Sequence, residues 1–289
     1  MKRLTGYLLM SSLLLGGLGT IAAQEAATQP PPKVLSIIRE YTKPGKSGMT
    51  HEKTESAFVQ ALRGAKWPTH YLAVDSLSGR PRSLFLTAFE SFDALEKDMR
   101  NVEKNAALMS ALDRAGVNDG DLLSDTDSAD LVFRDDMSLR AGVDIPHMRY
   151  FEISLIHIRP GHDKDWEALV KMYMKAFEKI TDVHWATYQA VYGQADGTYV
   201  IFNPMKSASE IDRGFAVGKQ FESNMGEEGM KKLHELEAAA IESSQTNLFA
   251  FNPRMSYVSD EWIKADPDFW KPKPAHAAAA KKEEPEPKK

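Results

Sequence analysis

The stretch Val34-Leu35-Ser36-Ile37-Ile38-Arg39-Glu40-Tyr41-Thr42-Lys43-Pro44-Gly45 is answered, 116 residues later, by Tyr150-Phe151-Glu152-Ile153-Ser154-Leu155-Ile156-His157-Ile158-Arg159-Pro160-Gly161. Each is a strand-length run with alternating character that ends at a Pro-Gly turn. At nearly the same spacing the chain then presents twice, in one order, a helix, a strand opened by His and an aromatic (His70-Tyr71 and His184-Trp185), another strand, and a Ser-led helix at Ser91 and Ser207. Self-similarity over such a length implies a duplicated unit.

The first copy predicts a strand over 35–41, a helix over 50–63 capped by Thr50, and strands over 70–76 and 83–89. A helix from Ser91, its continuation over 104–115, a Gly/Asp/Ser-rich stretch over 116–128 and a strand over 129–134 complete it. The second copy predicts strands over 151–158, 184–192, 198–202 and 246–251, with helices over 163–180, 207–221 and 227–241. The order per unit is β-α-β-β-α-β, the split ferredoxin-like pattern. Such a sheet is covered by helices on one face only, so its other face needs a partner. A duplicated chain carries its own second sheet. The expected fold is therefore α+β: two tandem ferredoxin-like domains packed sheet to sheet as an intramolecular dimeric α/β barrel, with a homodimer of chains as the other arrangement.

Residues 1–23 have the basic start, apolar middle and small-residue end of a secretory signal peptide. A polar, Pro-rich lead-in (24–33), the first domain (34–134), a linker (135–148) and the second domain (149–257) follow, then a C-terminal extension (258–270) whose Trp262, Phe269 and Trp270 pack on the body, and a Lys/Glu/Pro/Ala tail (271–289) expected to be disordered. The product is expected to be periplasmic or secreted, without stable membrane insertion after cleavage. The absence of Cys removes disulfides and thiolate metal ligands. A formal charge of -5 without a Lys/Arg stripe argues against nucleic acid as a partner. No P-loop, Rossmann glycine pattern, His-Glu-x-x-His or Gly-x-Ser-x-Gly elbow occurs.

His70 and His184 are candidate catalytic residues, because both copies place a His before an aromatic and an imidazole near neutrality gives or takes a proton. A His at a strand start also serves simply to bond a loop carbonyl. Two imidazoles with no carboxylate beside them in sequence do not make a metal site, so no metal is expected. Glu152 and Ser154 share one face of their strand, opposite the face that Phe151, Ile153 and Leu155 offer to the helices, so alternation aims both polar groups into the space between the sheets, with an edge position wet by solvent as the other reading of Glu152. A carboxylate held there meets the condition for an acid–base group. Trp185, Tyr71 and Tyr188 offer an aromatic wall for a planar ligand or ordinary core filling, and Asn203 is polar among apolar neighbours.

The strand order, the Pro-Gly turn after the first strand and the tandem copy resemble the dimeric α/β-barrel superfamily, in particular its antibiotic-biosynthesis monooxygenase and NIPSNAP-like branches. The resemblance covers residues 34–257 and implies a barrel fold. Members include cofactor-independent oxygenases, haem-binding degraders and chlorite-dismutase-like enzymes, so it barely constrains the reaction. Haem-degrading members use a cavity Asn, a Trp and a His on a late helix. His234 is the helical His in that region here, but the matching first-strand Asn position reads as Ser154 or Ile38, which argues against haem. No cofactor is expected. Three readings follow: an exported protein binding a small apolar or aromatic ligand between its sheets; a cofactor-independent monooxygenase-like or isomerase-like enzyme using the same cavity; and a structural or protein-interaction module.

Overall fold

Leu35, Ile37, Phe151 and Ile153 alternate with residues that point the other way, and all four side chains lie in one buried cluster. That cluster is the inside of a closed barrel. The computed structural model describes residues 28–271, so the expected signal peptide and most of the tail lie outside the described residues. The elements run β1 (Val34–Thr42), α1 (Met49–Gly64), β2 (Tyr71–Ser76), β3 (Arg82–Phe89), α2 (Phe92–Lys104), α3 (Ala106–Gly120) and β4 (Leu123–Phe133) in the first half. The second half continues with β5 (Tyr150–Ile158), α4 (Asp163–Phe177), β6 (Ala186–Tyr192), β7 (Thr198–Met205), α5 (Ser209–Ala240) and β8 (Ile241–Phe251), followed by α6 (Asp260–Ala265) and α7 (Pro267–Trp270).

The strands close in the order β1-β3-β2-β8-β5-β7-β6-β4, every neighbour antiparallel. The fold is thus α+β, and the barrel closes within one chain. Two seams join the halves: β2 with β8, where Val74 faces Phe251, and β4 with β6, where Phe133 faces Tyr188. Closure leaves no open sheet edge. Helices α1 and α3 pack outside the first half and α4 and α5 outside the second.

An eight-stranded barrel has an interior just wide enough for side chains to fill. Val74, Leu131, Phe202 and Phe249 fill it, so the expected ligand space between the sheets is a packed core. A pocket of about 330 Å³ remains where β1 and β5 finish, lined partly by Arg39, Tyr41, Arg82 and Asn247. The opposite end is plugged by the C-terminal extension. Trp270 is buried there and its indole N–H donates to the Pro146 carbonyl at 2.9 Å, while Arg149 pairs with Asp266 and stacks over Phe269 at 3.9 Å. The 135–148 segment holds two short 3-10 turns and buries Met137, Leu139 and Met148.

Several local expectations are corrected. Thr50 does not cap α1: the N-cap is Gly48, at φ 71°, and no side chain bonds the free N–H groups. Ser91 does cap α2, accepting from Ala94 N, but Ser207 bonds Ser209 instead and the α5 N-cap is Ala208. The two helices expected after Ser207 are present within α5 and meet at Gly226 without an intervening loop; its φ of 67° and ψ of 172° are open essentially to glycine alone and break the helical path there. Strand β4 begins at Leu123, and its polar start, through Ser128, is held by backbone pairing with β1.

Candidate functional site

Phe151 and Ile153 belong to the barrel interior, so Glu152 takes the opposite, helix-facing side. The inward placement expected for Glu152 and Ser154 is therefore reversed. Both faces of β5 are apolar in part: Phe151 and Ile153 point inward, Ile156 and Ile158 outward into the helix-covered cluster. A cavity of about 890 Å³ lies on that outer side. Its floor comes from β5 and β7 through Glu152, Ile156, Ile201 and Asn203, and its roof from α4 and α5.

The roof follows from helix periodicity. Trp166, Leu169, Val170, Tyr173 and Phe177 recur at three- and four-residue steps, placing one apolar face of α4 over the sheet. Phe177 stacks on Phe221 of α5 at 4.7 Å and meets Trp185 edge-on at 5.6 Å. Tyr173 donates to Glu237 Oε1 across the two helices; burial, and then that carboxylate, hold its phenol well above the usual tyrosine range. Buried Trp166 lines the same space, and its indole nitrogen has no partner among the described residues.

Glu152, His184, Trp185 and Asn203 come together in this lining. Glu152 and Asn203 are register partners on β5 and β7. His184 Nε2 donates to the Pro204 carbonyl at 2.8 Å, which fixes the ring and leaves Nδ1 as its other nitrogen. Trp185 donates to the Met137 carbonyl at 2.9 Å, so its ring is held as a wall. An apolar slot with a few fixed polar groups at one side suits a small molecule with a flat apolar body.

The remaining candidates lie elsewhere. Ser154 pairs its hydroxyl with Thr246 at 2.7 Å on β8. His70 stacks on Tyr257 with ring centroids 4.8 Å apart, and burial lowers its pKa. It does not join His184 in the cavity lining. Tyr188 is a barrel-core residue whose hydroxyl donates to the Pro32 carbonyl at 3.0 Å. Tyr71 faces the helices of the first half, packed beside Phe85 and Tyr257. His234 is exposed on α5.

A second titratable group, which sequence reading missed, lies under α1. Ligand atoms of Glu40, His51, Glu55 and Asp119 all lie within 4.8 Å of one another. His51 Nε2 is 3.1 Å from Glu40 Oε2 and 3.5 Å from Asp119 Oδ1, and its Nδ1 is 3.4 Å from Ser83 Oγ. Ser83 in turn donates to Asp75. Burial alone pulls the His51 imidazole down, but its bonds to Asp119 and Glu40 and the charges of Asp119 and Glu55 outweigh that and carry its pKa up to about 10. Burial, then the charges of Glu40 and Asp119, push Glu55 up. The readable signal was His51 and Glu55 at i and i+4 in the buried stripe that continues to Val59 and Leu62.

These observations define an α+β protein with a closed antiparallel eight-stranded barrel and a helix-covered cavity outside the barrel wall. No family model matches the chain, and no curated protein matches it. Solved structures with a similar chain path are monooxygenase-like and chlorite-dismutase-like. One is an anthrone oxidase-like protein: 14% identity, TM-score 0.49, 76% of this chain and 92% of that one covered. Another is a monooxygenase-like protein from Fusobacterium nucleatum subsp. nucleatum: 11% identity, TM-score 0.48, with 77% and 94% covered. A third is the chlorite dismutase from Candidatus Nitrospira defluvii: 11% identity, TM-score 0.43, with 81% and 95% covered. No residue role is carried over from them.

Proposed function

We propose that this protein binds a small apolar or aromatic molecule in the cavity between the outer face of β5 and β7 and helices α4 and α5. The carrying observation is a space of about 890 Å³ whose walls are mainly apolar and aromatic and whose polar groups converge near Glu152, Asn203 and His184. That volume falls within the range of roughly 300–1,000 Å³ typical of ligand pockets. The unpartnered indole N–H of Trp166 supplies a further donor for an acceptor atom on the ligand. Native mass spectrometry of the gently purified chain tests this: a retained small molecule, lost on denaturation, supports it. A chain that carries nothing and takes up no aromatic probe rejects it.

The presence of His184 and Glu152 in one pocket favours a second reading, turnover without an organic cofactor. In that reading Glu152 takes a proton from the bound molecule, and the side-chain amide of Asn203 donates to the oxygen on which negative charge develops, while His184 Nδ1 serves as an acceptor. If it holds, E152Q keeps the affinity for the molecule but loses conversion. Unchanged conversion in E152Q refutes the acid–base role.

The recurring element order and the strand orders β4-β1-β3-β2 and β8-β5-β7-β6 support descent of the two halves from one duplicated ferredoxin-like unit. The signal-like start at residues 1–23 supports export, with the cavity working in the periplasm or outside the cell. Among the described residues, no helix is long and apolar enough to cross a membrane.

A further inference from the structure

We propose that Glu40, His51, Glu55 and Asp119 form a site for a divalent first-row metal ion that clamps α1 and the end of α3 onto β1. This site is separate from the cavity of the second half and does not depend on how that cavity is used. Three carboxylates and one imidazole converge where only Glu40 retains appreciable contact with solvent: its side chain is 14% exposed, while His51, Glu55 and Asp119 are 1%, 3% and 1% exposed. Among the described residues no Lys or Arg pairs with any of the three carboxylates; His51 pairs with Glu40 and Asp119, and Glu55 has no ion pair. One imidazole set against three carboxylates leaves the buried group short of positive charge, a deficit that a bound cation would fill.

Independent support comes from atoms that lack partners. Five buried side-chain polar atoms are unsatisfied among the described residues, and two of them are Glu55 Oε1 and Asp119 Oδ2, both within this group. Unpaired oxygens on nearly fully buried carboxylates are what an ion would satisfy. Geometry agrees. With ligand bonds of about 2.1 Å, donors around a tetrahedral ion lie roughly 3.4 Å apart, so a group spanning at most 4.8 Å closes on an ion through side-chain shifts of about 1 Å. Oxygen-rich donors with one imidazole and no thiolate suit Mn2+ or Zn2+ better than copper(I) or an iron–sulfur cluster.

The fold itself does not demand polar residues here. At the corresponding depth of the second half, β5 carries Ile156 and α4 buries Trp166, Leu169 and Val170. Four protein ligands in a closed setting describe a structural rather than a catalytic ion, and its ligands come from three elements that are otherwise held by α1–α3 and β1–β4 packing.

The test uses the full chain, free of any affinity tag and stripped with a chelator, titrated with Mn2+ and with Zn2+ by calorimetry, with metal content measured after gel filtration. The expected result is one ion per chain and a higher thermal midpoint with metal. E55Q and H51Q should each weaken binding at least tenfold and lose the metal-dependent rise in midpoint. Glutamine keeps the shape of Glu55, and circular dichroism establishes that each variant is folded; if H51Q does not fold, E55Q and D119N decide. Failure of the wild type to retain either ion, or unchanged affinity in the folded variants, overturns the proposal.

Discussion

Asn203 stands directly opposite Glu152 on the neighbouring strand, and both line the cavity beneath α4 and α5. Directly opposed residues in an antiparallel pair have Cβ atoms roughly 5 Å apart, close enough for their polar ends to hold one ligand group together. Because Glu152 is only half-buried, E152Q should change stability by no more than about 0.5 kcal/mol. Its effect should fall on ligand affinity or turnover. Urea unfolding alongside a binding titration separates the two; a large loss of stability would make Glu152 a structural residue.

His184 supplies the donor for the Pro204 carbonyl. H184A removes it and leaves a buried acceptor unpaired, a cost of about 1–3 kcal/mol. The urea midpoint should fall with the slope unchanged. A midpoint equal to that of the wild type would mean that water replaces the imidazole.

Trp270 seals the barrel at the end where β5 begins. W270A should cost about 3–5 kcal/mol, the usual range for removing a large buried aromatic. Binding in the cavity of the second half should survive in the folded fraction, since Trp270 does not line it. Denaturant melts and a probe titration on the same sample test both parts.

Gly226 bends α5, and a Cβ placed there would meet nothing within 4 Å. The cost of G226A is therefore one of backbone conformation, about 1–3 kcal/mol. A neutral G226A would show that the bend relaxes freely.

The group under α1 makes the ion-free protein sensitive to alkali. His51 is carried up to about 10 and Glu55 is also raised, so the folded chain holds more protons than the unfolded one at neutral pH. Stability from both groups is complete at low pH, where folded and unfolded chains are alike protonated. For His51 it is lost as pH rises from about 6.5 towards 10, and for Glu55 the loss begins in the unfolded-state range near 4.5. The groups facing this pair are Glu40, Asp119, Asp75 through Ser83, and the Tyr71 phenol, itself raised by burial and by Glu55 and Glu40. In chelator, unfolding free energy should fall between pH 6.5 and 10, more gently in E55Q, whose amide does not titrate. Equal slopes for the two chains would contradict this.

The barrel was legible in the sequence, and the site only in part. Strand alternation in Leu35–Ile37 and Phe151–Ile153 marks two faces, but a helix-covered barrel strand is apolar on both, as Ile156 and Ile158 show. Period-2 patterning then finds the strand without saying which face is inside, and for that reason Glu152 was aimed the wrong way. His184, Trp185, Glu152 and Asn203 still met, because all four face outward near one end of β5, β6 and β7. The ion-ligand group was hidden for a different reason. Glu40 and Asp119 are 79 residues apart and meet only after α3 packs beside α1, while the polar start of β4 carries no apolar strand signal because backbone pairing with β1 holds it.

The most direct measurement is a tryptophan-fluorescence titration with 1-naphthol on the wild type, V217W and R82A. Val217 lines the cavity under α5, and Arg82 lines the small pocket at the barrel mouth. Saturable quenching that V217W abolishes and R82A leaves intact is the expected result. Binding that survives V217W but is lost in R82A would place the ligand inside the barrel and contradict the site described for this protein.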